Sequence, residues 1–147
     1  MTLPSDAVRA GTVQTDAVEG LIADITDRGI GLGIDKDSLV ISGHREALTD
    51  EMRTALVAAK PALLAWFRGQ ERPTERIHAP SRGQSGLHHL NARNPDSPAY
   101  TVLFAAAIRS APDLAALDAA LDELVRRHHA LRSEVFELGD RLLIRVL

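Results

Sequence analysis

Cysteine is absent from all 147 residues. That excludes disulfides and thiolate metal sites, and it fits a reducing compartment. Aromatic residues make up only 3% of the chain, so any core is built mainly from Leu, Ile, Val and Ala. There is no basic surplus: 17 Lys and Arg face 20 Asp and Glu, a net charge of -3. This argues against a general nucleic-acid binder. Long hydrophobic runs are missing too. No stretch approaches the roughly 18 apolar residues of a membrane span, and residues 1–11 hold no apolar run of a secretory signal. The expectation is a cytoplasmic protein with neither nucleic acid nor membrane as partner.

The residues that are present fall into two segments. Residues 1–15 are polar, carry Pro4 and Gly11, and read as a flexible arm. A first helix is expected from Asp16, where Asp16 and Glu19 have capping-box spacing. Val18, Leu21, Ile22 and Ile25 then form one apolar face, and Gly29 is the stop. Ile30, Leu32 and Ile34 alternate with Gly31 and Gly33 in a strand. Asp35-Lys36-Asp37-Ser38 is turn chemistry, and Leu39-Val40-Ile41-Ser42 returns as a second strand ended by Gly43. Thr49 caps a second helix whose inward stripe is Met52, Leu56 and Ala59. Pro61 is placed at the start of a third helix bearing Leu63, Leu64 and Phe67. A lone hairpin is marginal in water, so this one must lean on the helices.

Residues 70–76 read as a linker. Beyond it, Tyr100, Val102, Phe104, Ala106 and Ile108 alternate as a strand. Asp113 caps a helix with Leu114, Leu117, Leu121, Leu124 and His128 on one side. Residues 133–138 and 141–147 read as two strands joined through Gly139-Asp140. The fold class is therefore α+β, with 16–69 as one module and 77–147 as another.

Chemistry-bearing motifs are sparse. The six histidines include the adjacent pairs His88-His89 and His128-His129. Sequence neighbours point different ways, and there is no H-E-x-x-H spacing, so no metal site is expected. Gly29, Gly31 and Gly33 give G-x-G-x-G, but a dinucleotide loop needs a strand before the glycines and a helix opening within them. Here the order is reversed. Bare glycines in a strand mark either a close approach by another backbone or a twisted, bulged hairpin. No G-x-S-x-G elbow is present.

Residues 18–69 resemble the N-terminal β-hairpin docking domain of the tubulysin-synthetase type. The resemblance is carried by Leu21-Ile22-Ala23, Arg28-Gly29-Ile30, Ala47-Leu48-Thr49-Asp50-Glu51-Met52 and Lys60-Pro61-Ala62-Leu63-Leu64. Residues 77–147 look like the opening of a nonribosomal peptide synthetase condensation domain. Ser81, Gln84, Leu87 and Leu90 match its S-x-A-Q-x-R-L-W-x-L motif, and Arg127-His128-His129-Ala130-Leu131-Arg132-Ser133 resembles R-H-E-x-L-R-T. The departures are Gly83, Gly86 and His88 for Ala, Arg and Trp, and His129 for Glu. The active-site H-H-x-x-x-D-G motif is absent.

The resemblance implies a small helix–hairpin–helix–helix docking domain, followed by an incomplete α/β fragment of the chloramphenicol-acetyltransferase-like type. It implies that the hairpin binds the C-terminal peptide of an upstream synthase subunit by strand addition, ordering a secondary-metabolite (antibiotic) assembly line. The receiving edge is expected at Ser38, Leu39, Val40, Ile41 and Ser42, with Gly31 and Gly33 at the hairpin. Arg28, Lys36, Arg45 and Arg53 are the cations available to an acidic peptide. No catalytic residue is assigned and no cofactor is expected on this chain; phosphopantetheine would sit on partner carrier domains. Two alternatives stand beside docking. One is the front of an amide-forming condensation enzyme, inactive as this piece; the other is a homodimerisation module.

Overall fold

The computed structural model describes the backbone of residues 5–147 and the side chains from Thr15 onward. The fold is α+β, and its helices accompany a five-stranded antiparallel sheet. Two compact units are present, residues up to 80 with 133–147, and residues 81–132.

In the first unit, helix α1 runs Ser5–Asp27 without a break. This corrects the expected start at Asp16, and the first four residues of the expected arm lie outside the described residues. Residues 5–15 contain no proline, and Gly11 costs only about 1 kcal/mol in a helix interior. Glu19 is accordingly no cap; its carboxylate accepts from the Trp66 indole N–H at 3.3 Å. Gly29 ends the helix with φ +73°, as its position predicts.

Strands β1 (Ile30–Asp35) and β2 (Ser38–Gly43) form the expected hairpin, with Lys36 at φ 55° in its turn. Helix α2 spans Asp50–Arg68, and its N-cap Thr49 accepts from the Met52 amide. The expected break at Pro61 does not occur. Met52 and Leu56 before it and Leu63 and Phe67 after it are all buried, so one continuous apolar stripe holds both halves in line. The carbonyl that Pro61 leaves unpaired belongs to Val57, an exposed residue.

Residues 70–76 end in a short strand, β3 (Arg76–His78). The pair read from sequence at 133–147 forms as β4 (Ser133–Leu138) and β5 (Arg141–Val146). Strand order is β2-β1-β3-β5-β4, so residues 133–147 pack with the first segment. Ile22, Ile25, Ile30, Leu32, Leu63, Phe67, Ile77 and Leu143 make one buried core beneath the sheet. On the same side the Arg145 guanidinium lies 5.0 Å over the Phe136 ring and pairs with Glu134.

The second unit holds helices α3 (Arg82–Arg93) and α4 (Leu114–Arg127). Ser81 and Gln84 form a capping box at the start of α3, with bonds of 3.2 and 2.8 Å. Asp113 caps α4 as expected. The strand expected over 100–108 is absent: Val102 is 93% exposed and Phe104 86%. Alternation alone does not make a strand. Its N–H and C=O groups need a neighbouring strand, and none among the described residues pairs with this segment.

Candidate functional site

The hairpin is asymmetric in what its two edges meet. β1 is paired on both sides, with β2 and with β3. β2 is an end strand of the sheet. The alternation of antiparallel bonding fixes which groups look outward. The Ile34 N–H turns away from β2 and donates to the Glu75 carbonyl at 2.9 Å. Its register partner Leu39 therefore turns its own main chain away from β1, and Ile41 does the same two residues later. The Ile41 carbonyl is met by the Arg45 guanidinium, which donates to it at 3.1 Å.

Beside this edge lies an open groove of about 380 Å³ lined by Leu39, Val40, Ile41, Arg45, Leu48 and Arg53. Its floor is apolar and its rim is cationic. A 3₁₀ turn at Arg45–Ala47 carries Arg45, and α2 carries Arg53 on its first turns. Arg53 is loosely engaged with Asp50 at 4.0 Å. Two carboxylates nearby are held below their ordinary range. Glu46 is lowered by hydrogen bonding from its own backbone amide and then by His44, 3.0 Å away. Glu51 is lowered mainly by the Thr49 hydroxyl, then by its own amide and the Arg28 charge.

The structure brings together Leu39, Val40, Ile41, Arg45 and Arg53 of the residues singled out from sequence. Ser38 and Ser42 flank them on the same strand. Arg28 stands near Glu51. Lys36 belongs to a different groove, of about 560 Å³, which it shares with Phe67, Arg68 and Thr74. Gly31 and Gly33 have a neighbour of their own. A Cβ on Gly33 would lie 2.7 Å from the Glu75 carbonyl oxygen, and one on Gly31 would lie 3.3 Å from that of Ile77. The backbone that approaches these glycines is the chain's own.

Sequence reasoning missed Leu48 as a site residue. The available signal was an apolar side chain immediately before the Thr49 cap, where the chain turns from the hairpin into α2. His88 and His89 sit side by side on α3, with ring centroids 6.2 Å apart. Among the described residues no group of three His, Asp or Glu side chains is arranged to hold a metal ion. Among them, too, no helix is long and apolar enough to cross a membrane.

Residues 18–69 match the family profile of the TubC N-terminal docking domain. That segment runs from the middle of α1 through the hairpin to the end of α2, and it contains the whole groove beside β2. A docking domain implies another synthetase subunit as its counterpart. No curated protein and no solved structure matches the chain.

Proposed function

We propose that the module at 18–69 receives the C-terminal peptide of an upstream nonribosomal peptide or polyketide synthase subunit as an added strand on β2. The observation that carries this reading is the coincidence of an open sheet edge with the groove lined by Leu39, Ile41, Leu48, Arg45 and Arg53. Main-chain bonds to Leu39 and Ile41 supply affinity without sequence preference, and the groove supplies selectivity. A peptide with one apolar side chain for the floor and acidic residues for the rim fits this chemistry. Arg45 then exchanges its bond to the Ile41 carbonyl for a peptide carboxylate. The interface is small and the peptide orders on binding, so affinity is modest.

The test is a titration of isotopically labelled chain with C-terminal peptides from candidate upstream subunits. Amide shifts at Leu39 and Ile41 with one preferred peptide support the reading. Shifts at some other surface, with β2 silent, overturn it.

A second reading takes 77–147 as the opening of a condensation domain. It rests on the Ser81/Gln84 and Arg127–Ser133 motifs, and on leucines 114, 117, 121 and 124 of α4, each at least 40% exposed. An apolar face of that kind suits a helix that belongs against further structure. Strong fluorescence of an apolar dye, abolished by polar substitutions on α4, is the expected result; dye binding unaffected by them refutes it.

A further inference from the structure

A β-hairpin has two edges, and strand addition works on either. We propose that residues 74–78 are a built-in strand that closes the β1 edge, leaving the hairpin a single acceptor edge at β2. This rests on the docking reading above and deepens it, because it fixes how many peptides one chain takes and on which side.

Four observations converge. Ile77 lies opposite Leu32 and Arg76 opposite Gly33, in antiparallel register. The Ile34 N–H, which a foreign strand on β1 would need, is already bonded to the Glu75 carbonyl. Ile77 is wholly buried in the same core as Ile30 and Leu32, so the strand is anchored by a side chain as well as by its backbone. Gly33 leaves room for it, since a Cβ there would lie 2.7 Å from the Glu75 carbonyl oxygen; one on Gly31 would meet the Ser42 Oγ of β2 at 2.6 Å and the Ile77 carbonyl oxygen at 3.3 Å.

The plug is also tied from behind. Glu75 N–H donates to the Val146 carbonyl at 2.8 Å, and Arg76, Ile77 and His78 pair with Val146, Arg145 and Ile144 of β5. A peptide that displaced it would have to break the sheet on both sides. The β2 edge asks only that Arg45 release one carbonyl.

The experiment uses the full chain in three arms. Without peptide, amide hydrogen exchange at Leu32 and Ile34 is expected to be at least about 100-fold slower than at Leu39 and Ile41. Equally fast exchange at all four overturns the plug, whatever the fate of the docking reading. With a binding peptide, titration saturates at one peptide per chain and leaves the Ile34 amide bonded as before. Loss of the Thr74–His78 signals as the peptide binds means that β1 is the acceptor, which overturns the proposal. In Ile77→Asp a charge replaces the buried anchor, the Ile34 amide loses its protection, and stoichiometry rises to two. Lost protection with stoichiometry still at one overturns it. If that variant does not fold, the first two arms decide. Failure of every peptide to bind removes the docking reading alone, since the exchange arm stands without it.

Discussion

Replacing Ile77 by Ala tests whether the sheet is one cooperative object. Ile77 has no solvent exposure and contributes to the core under β1 and β5. The substitution removes three carbons. At about 0.8 kcal/mol for each buried carbon the transfer loss is about 2.4 kcal/mol. A cavity left in a packed interior adds to this, placing the change near 3 kcal/mol within the range of about 2–5 known for such truncations. For a domain of this size each kcal/mol moves the midpoint by about 4–8 °C, so Tm falls by about 12–24 °C. The chain has one tryptophan. Trp66 packs against this same core, so its emission follows the first unit and not residues 81–132. Thermal and urea unfolding monitored by Trp66 therefore measure the effect directly. Val57→Ala is the control, because Val57 is 73% exposed and such a change falls within about 0.5 kcal/mol. A loss below about 1 kcal/mol for Ile77→Ala would refute the reasoning. It would mean that 76–78 merely lies against the hairpin and that the core closes without it.

Pro61→Ala restores an amide inside a continuous helix and should raise stability by about 1–3 kcal/mol by urea unfolding; no gain would mean that α2 divides at this residue after all. The double variant Arg45→Glu, Arg53→Glu should weaken peptide binding about tenfold at low salt, and less at high salt, by calorimetry. Unchanged affinity removes these arginines from the interface. Glu123 on α4 is held down to about 2, first by the Arg126 hydrogen bond and then by Arg127. A depressed carboxylate stabilises above its unfolded value and loses that contribution as pH falls through the folded one. Helix α4 should thus keep this support down to about pH 4.5 and lose it as pH falls through about 2. Carboxyl titration by NMR measures this directly, and an ordinary value at Glu123 contradicts it.

Much of the docking module is local, and local chemistry is legible in sequence. Gly29 and Gly43 stop their elements at φ +73° and +83°, and Thr49 caps α2. The apolar spacing of Val18, Ile22 and Ile25 names the buried face of α1. The hairpin residues could be read as a candidate edge because alternation and turn residues act over a few positions; of the four cations named beside it, Arg28, Lys36, Arg45 and Arg53, the groove takes only Arg45 and Arg53. Reading failed where a local signal competed with distant packing. Proline at 61 looked like a boundary, and the alternating 100–108 looked like a strand. The first is overridden by a stripe buried on both sides of it, and the second has no neighbour to bond.

The sequence by itself determined the hairpin and its turn, the end of α1 at Gly29, the capped starts of α2 and α4 and the apolar face of α1, since these follow from side-chain period, capping and backbone freedom within a few residues. Only the tertiary structure decided which hairpin edge is open. That depends on Arg76–His78 finding both β1, more than forty residues before it, and β5, more than sixty after it. A three-residue strand with one apolar side chain has no period to read, and its place is set by backbone hydrogen bonds that any sequence can make. The same pairing bears on Gly33: sequence left a close approach and a bulged hairpin both open for the strand glycines, and the fold places the Glu75 carbonyl against Gly33.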